Sequence, residues 1–269
     1  MTPRTNRTNV SDADLLLPFE LTNLKRDYRE YQKTRRNNCF ASMERLPDLW
    51  KTFAELDICW QAGLDDMRSI TSAEDVLPLS LYIRAHAQTR ISADLLFSGC
   101  LPEAADLLRT GVEFAVHAYR IKKDPSLAVV WLEKDSAAGH RAYKEVFEKE
   151  KKIRLFKDLG DLHDYYTKFS EWSHATVASL AFTCQMAESN GDVNFLHHHL
   201  ETDSGKLRSF ITFALRASAA MEDIYFKSFS QRLELDVAYL RLRRQLRVTL
   251  QAVQKAAGLP ASTTDRLEF

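Results

Sequence analysis

Residues 101–122 read LPEAADLLRTGVEFAVHAYRIK. Pro102 suits a first helical turn, where its missing N–H costs nothing, and Asp124-Pro125 closes the segment. Between these ends Leu101, Ala105, Leu108, Val112, Ala115 and Tyr119 recur at steps of three and four. A neighbouring line runs through Ala104, Leu107, Gly111, Phe114 and Ala118. An apolar arc that wide packs against more than one neighbour, which makes this the central helix of a bundle. Gly111 and the alanines permit a second backbone to come close.

The same period continues on both sides. Only eight glycines and seven prolines punctuate 269 residues, and the glycines stand singly, which favours long helices over many short strands. Upstream, the spacing predicts a helix over Phe19 to Lys33, with Leu21, Leu24, Tyr28 and Tyr31 on one face. A second runs from Pro47 to Ser69 and carries Trp50, Phe53, Leu56, Trp60, Leu64 and Met67. A third runs from Glu74 through Leu81, Ala85, Ile91, Leu95 and Leu96 to a stop at Gly99. Downstream, residues 126 to 150 read as helical. A helix or broken pair covers Asp161 to Glu188, with Leu162, Tyr165, Phe169, Leu180 and Cys184 inward, and Asn190-Gly191 ends it. Asp192 to Asp203 reads as irregular or briefly extended. Lys206 to Ala257 keeps a helical period too long for one globular helix, so two are expected, with a break around Ser228 to Leu235. Residues 1–13 are polar and read as a disordered tail, 14–258 as one domain and 259–269 as a second tail. The fold class is all-α: a single bundle of about eight helices with long C-terminal ones.

Hydrophobic residues make up 45% and charged residues 28%, the balance of a globular chain that needs no metal or disulfide staple. Net charge is zero, although the middle is acidic and both ends are mildly basic. Cys39, Cys59, Cys100 and Cys184 form no Cys-x-x-Cys pair and read as apolar fillers in a reduced compartment. The longest strictly apolar run, Leu127 to Leu132, falls far short of the roughly 18 residues a membrane span requires. Leu15, Leu16 and Leu17 are stopped at once by Pro18, so no signal layout is present, and the expectation is a cytoplasmic protein that does not enter a membrane. No closely spaced glycines cradle a phosphate, and neither a G-x-S-x-G elbow nor an H-E-x-x-H zinc helix occurs. No cofactor is expected. Helical ribonucleases of the prokaryotic defence type carry an Arg followed by a His at a short set interval. The nearest approach here, Arg109 and His117, has seven residues between, which is too many.

Two polar constellations remain. Arg109, Glu113 and His117 recur every four residues on one face of the central helix, extended by Glu103, Asp106 and Arg120. This edge is either the wet side of an amphipathic helix, laced by intrahelical pairs, or the lining of an internal cavity, where Arg109 and Glu113 act as structural partners or ligand clamps. Tyr166, Ser170 and His174 also fall at steps of four. Ser and His on consecutive turns reach each other, but a nucleophile further needs an oriented base and an oxyanion site, which no sequence feature supplies. Glu171 with His174 fits a Glu-x-x-His ligand pair of di-iron bundles, and only one such pair is present. His197, His198 and His199 read as exposed loop residues. In the last helix the stripe Leu235, Tyr239, Leu242, Leu246 and Val253 is expected to face the core and leave Arg241, Arg243, Arg244 and Arg247 outward. An arginine face of that kind meets phosphates or, more readily in a neutral chain, a salt-bridged partner surface.

Leu95-Leu96 and Gly99 with Glu103-Ala104, then Leu107-Leu108-Arg109 with Glu113, Asp124-Pro125, and later Tyr166, Ser170 and His174 carry a resemblance. Over about Leu79 to Leu180 the chain resembles a family of bacterial helical proteins known as a domain of unknown function. The resemblance implies a helical bundle in which Arg109, Glu113, Ser170 and His174 approach one another. It implies no activity.

The function expected from these residues is a non-enzymatic interaction or regulatory module, with a protein partner or a second copy met through the long C-terminal helices. The alternative is an RNA-directed helical enzyme with His174 or His117 as acid or base. A second alternative is a metal-binding bundle.

Overall fold

A computed structural model describes residues 26–65, 70, 72–148, 155–174, 184–186, 193–195, 201–230 and 237–259. Among the described residues there are nine helices: α1 (Arg26–Arg45), α2 (Pro47–Asp65), α3 (Ala73–Ser98), α4 (Leu101–Lys123), α5 (Leu127–Leu132), α6 (Ala137–Phe147), α7 (Leu162–Ser173), α8 (Ser204–Phe229) and α9 (Val237–Ala256). Between α7 and α8 the strands β1 (Cys184–Met186) and β2 (Val193–Phe195) pair antiparallel, with Gln185 opposite Asn194. The architecture is all-α with one small ribbon. No described helix is long and apolar enough to cross a membrane.

The helix ends follow the punctuation. Pro47 opens α2, and Pro102 lies in the first turn of α4. Gly99 closes α3 in the left-handed region at φ 88°, its N–H donating to Leu96 at 3.0 Å. A side chain there would also strike the backbone of Glu201, whose N–H donates to the Gly99 carbonyl at 3.0 Å, so the same glycine docks the approach to α8 onto the α3–α4 corner.

Helix α4 lies at the centre. Leu101, Ala104, Ala105, Leu108, Val112 and Ala115 are wholly buried, and α3, α7 and α8 all pack on it. Burial of each large apolar side chain in this core contributes roughly 1.5–3 kcal/mol. At Gly111 a β-carbon would sit 3.3 Å from that of Gln88, so the missing side chain sets the close α3–α4 approach. Arg120 fixes the turn that leads into α7: its Nε donates to the Leu155 carbonyl at 2.6 Å and its Nη2 to that of Lys157. An aromatic seam then holds α7 on α8, with Phe169 5.4 Å and Tyr165 4.9 Å from Phe213, and Trp172 4.0 Å from Phe210.

Several elements differ from the sequence reading. Helix α1 runs on to Arg45 rather than ending at Lys33; the expected start at Phe19, Leu21 and Leu24 lies outside the described residues, as do both tails apart from Leu259. Residues 126–150 hold two helices instead of one. The Ser136 hydroxyl accepts from the Gly139 N–H at 2.9 Å and starts α6 afresh, and a β-carbon at Gly139 would run into the Glu133 carbonyl. The helix expected to reach Glu188 ends at Ser173, and Cys184–Met186 is a strand. Asn190-Gly191, expected to end that helix, lies outside the described residues. Leu180 lies outside the described residues. Ile91, expected on the inner face of α3, is 53% exposed.

Candidate functional site

The hydrophilic edge of α4 is neither open nor sealed. Arg109 and Glu113 keep 21% and 25% of their side-chain exposure, with Arg109 Nη1 3.7 Å from the Glu113 carboxylate and Nη2 donating to Asp106 at 3.0 Å. Helix α7 covers the edge: the Tyr166 side chain hydrogen-bonds Arg109. Burial works against the Arg109 charge, but Asp106, Glu113 and Tyr166 together outweigh it and hold the guanidinium above its ordinary pKa. One turn on, His117 is buried edge-on to Phe147 at 4.7 Å and Tyr143 at 6.2 Å. The Tyr143 phenol is pushed up to about 12, first by burial and then by the charges of Glu113 and Glu148. Arg109, Glu113, His117 and Tyr166 therefore share one seam between α4, α6 and α7. The arginine there is already paired, so the seam binds helices together more than it presents charge.

Ser170 and His174 do not complete that seam. Because α7 stops at Ser173, His174 takes extended backbone at ψ 164°, donates its N–H to the Ser170 carbonyl at 3.1 Å and is exposed. The Ser170 hydroxyl is buried without a hydrogen-bond partner. Glu171 is close to half exposed and accepts from Lys168 at 2.7 Å. Among the described residues no group of three His, Cys, Asp or Glu side chains is placed to share a metal ion. His197, His198 and His199 lie outside the described residues.

The arginines of α9 are where the structure departs furthest from the sequence reading. Arg241 and Arg244 are exposed, as expected, and Arg247 is 28% exposed. Arg243 is buried, with 3% of its side chain exposed. Its Nε donates to both Glu222 oxygens at 3.0 and 3.1 Å, its Nη2 donates to Asp223, and the Phe226 ring lies 3.7 Å from its guanidinium carbon. The Tyr239 hydroxyl donates to Glu222 at 2.7 Å. Burial pushes the Glu222 carboxyl up, with Arg243 and the Tyr239 hydroxyl pulling it back. Burial opposes the Arg243 charge in turn, and Glu222 and Asp223 overcome it, so the guanidinium stays ionised. Cys59 is nearby, its thiol pushed up to about 12 by burial and then by Glu222. Gly63 leaves room for the rings of Tyr225 and Tyr239 and accepts from the Tyr225 hydroxyl at 2.6 Å.

A signal for this node was present in the spacing. Tyr239, Arg243, Leu246, Leu250 and Val253 step by four, three, four and three, which sets Arg243 in the buried seam, while Leu242 stays partly exposed. On α8, Leu215, Ser218, Glu222, Tyr225 and Phe229 do the same for Glu222. Opposite charges at seam positions of two consecutive long helices mark a buried pair.

Helix α3 presents a different feature. Val76, Ile83 and Ile91 are 47%, 47% and 53% exposed, and with Ser80 and Ala87 they form one line along the outer face. Comparison with family models, with curated proteins and with solved structures finds no match to this chain.

Proposed function

We propose that this chain is a non-enzymatic helical interaction module that pairs with a second copy of itself along α3. The observation that carries the reading is the outward line Val76, Ile83 and Ile91, each about half exposed where a solvated helix face carries charge. From Val76 to Ile91 the line rises through 15 steps, about 22 Å of helix. Turned end for end about a two-fold axis near Ile83, it meets itself, with Val76 of one copy against Ile91 of the other and Ser80 against Ala87, which makes an isologous contact. The C-terminal helix offers a shorter apolar line, with Val237 and Val248 the large hydrophobic side chains exposed on its described residues and Arg241 and Arg244 between them. The exposed position of His174 and the aromatic packing of His117 give an RNA-cleaving reading little to work with.

Light scattering across a micromolar concentration series tests the reading. The wild-type chain is expected as a dimer, and Ile83→Asp as a monomer with unchanged helical circular dichroism at 25 °C. A wild-type chain that stays monomeric throughout overturns the pairing. RNA cleavage that is lost in His117→Ala overturns the non-enzymatic reading.

A further inference from the structure

Arg90 borders the outward line of α3, one residue before Ile91 and three after Ala87. It is held from α2. Asp57 accepts from Arg90 Nε at 2.6 Å and Nη2 at 2.8 Å, accepts from Gln61 at 2.6 Å, and bonds His86 Nε2 at 2.7 Å. The Trp60 ring stacks on His86 at 5.4 Å, and Trp50 meets Phe97 edge-on at 5.4 Å. These contacts lay α2 antiparallel beside α3. Ile58, next to Asp57 and 49% exposed, therefore continues the apolar face of Ile83 and Ile91 on a second helix.

A strip one helix wide and about 22 Å long covers roughly 220 Å², where a stable pair takes roughly 800 Å² from each copy. Adding α2 about doubles the strip and brings the Asp57–Arg90 bridge inside it. A contact that small is sensitive to any net charge placed under it. Asp57 and Arg90 cancel, so with a neutral imidazole a covering copy desolvates no net charge, although Arg90 is 48% exposed. Burial depresses the His86 imidazole; burial works to raise the Asp57 carboxyl, and the bonds from Arg90 and His86 outweigh it and hold it below its ordinary value. In mild acid the carboxylate thus stays ionised and the imidazole is the group that changes. Asp57 and Arg90 are the charged groups that act on that ring, and α1, α4 and α8, which also pack on α3, bring it none. A proton on His86 leaves two cations to one anion beneath the face, and covering the excess is penalised. A free protomer then takes up this proton more readily than a paired one, which sets the sign: acid favours separation.

We propose, resting on the pairing along α3 argued above, that acid parts the two copies, because the Asp57–His86–Arg90 network lies under the paired face and is neutral only while His86 is unprotonated.

Analytical ultracentrifugation of the full chain at about pH 7.5 and about pH 5 tests this, with helical circular dichroism followed alongside. The dimer dissociation constant is expected to rise about tenfold or more on acidification, and to stay level in His86→Gln. Arg90→Gln, at a half-exposed position, should reverse the sign: its network carries the Asp57 charge at neutral pH and none once His86 is protonated, so acid tightens the pairing. Ile58→Asp should weaken pairing about tenfold or more at both pH values. Wild-type pairing that is equally tight at the two pH values, or Arg90→Gln with the wild-type sign, overturns the acid control and leaves the pairing along α3 standing. Ile58→Asp that pairs as tightly as wild type puts α2 outside the contact and overturns it as well, as does loss of helix in step with the dimer. A wild-type chain monomeric at about pH 7.5 removes the pairing itself, and this inference with it.

Discussion

Arg109 on α4 and Arg243 on α9 each contact two carboxylates, and the two sets differ in where those carboxylates come from. Asp106 and Glu113 lie three residues before and four after Arg109 on the same helix. Glu222 and Asp223 reach Arg243 from another helix. Pairs within one turn form as soon as the helix does and contribute a few tenths of a kcal/mol. A cross-helix set exists only once α8 and α9 have docked, in surroundings where an unpaired charge is severely penalised. The intrahelical pairs of the α4 edge therefore add little to the bundle's cohesion, whereas the α8–α9 node admits only one register of the two helices.

The largest expected effect breaks the second set. Arg243→Ala leaves Glu222 buried without its cation and Asp223 with Arg247 alone, and urea melts should show a loss of about 3–5 kcal/mol. Replacing the pair together, as Glu222→Gln with Arg243→Met, should recover most of that loss, because a filled apolar or neutral seam tolerates what a stranded carboxylate does not. A single variant that costs less than about 1 kcal/mol contradicts the burial argued for the node.

An intermediate case lies between α2 and α3. Asp57 joins two helices, as the α8–α9 node does, yet its partners range from the buried His86 to the half-exposed Arg90. Its carboxylate accepts from Arg90 Nε at 2.6 Å and bonds His86 Nε2 at 2.7 Å, while the His86 ring stacks on Trp60. Burial works to raise the Asp57 carboxyl, and the hydrogen bonds from Arg90 and His86 prevail and hold it below the ordinary value. Burial depresses the His86 imidazole against the pull of Asp57. Both shifts act in one direction. The unfolded chain takes up a proton at His86 before the folded one does, so stability starts to fall as pH drops below the ordinary imidazole value of 6.5. The Asp57 contribution, present above the unfolded carboxylate pKa, goes later, as pH falls through the depressed folded value. Stability toward urea should fall as the pH drops from neutral, first through the His86 range and then through that of Asp57. His86→Gln should flatten the upper part of that slope and leave the lower part. A slope of the opposite sign overturns the assignment.

What the sequence made legible follows from these contrasts. Helix ends at Pro47, Gly99 and Asp124 were readable because backbone chemistry is local, and the central place of α4 was readable because its apolar arc is too wide for one neighbour. Period alone merges α5 and α6, because the Ser136 cap that separates them is a single hydroxyl within a helical pattern. Arg243 departs from the sequence reading for another reason: residue type puts an arginine outward, although its steps from Tyr239 and Leu246 put it in the seam, and only the matching position of Glu222 on α8 explains how the seam accepts it. Ile91 erred in the opposite sense, an isoleucine assigned inward that faces out. His174 depended on where α7 ends, which is decided by chain beyond the helix and not by the period within it.

The smallest expected effect concerns Arg109, and it asks which of its partners matters. Asp106 and Glu113 are bound to it along one helix and stay partly wet, whereas Tyr166 comes from α7 and ties that helix to α4. Arg109→Ala should therefore cost about 1 kcal/mol or less. Within that small loss, a double-mutant cycle with Tyr166→Phe should return the larger coupling, and a cycle with Glu113→Gln only a few tenths of a kcal/mol. The cross-helix bond is made on docking, and the intrahelical pair persists in any state that keeps α4 helical, so only the first is lost on unfolding of the bundle. Equal couplings in the two cycles would mean that α4 loses its helix together with the bundle, and the contrast between local and cross-helix charge would then disappear at this edge.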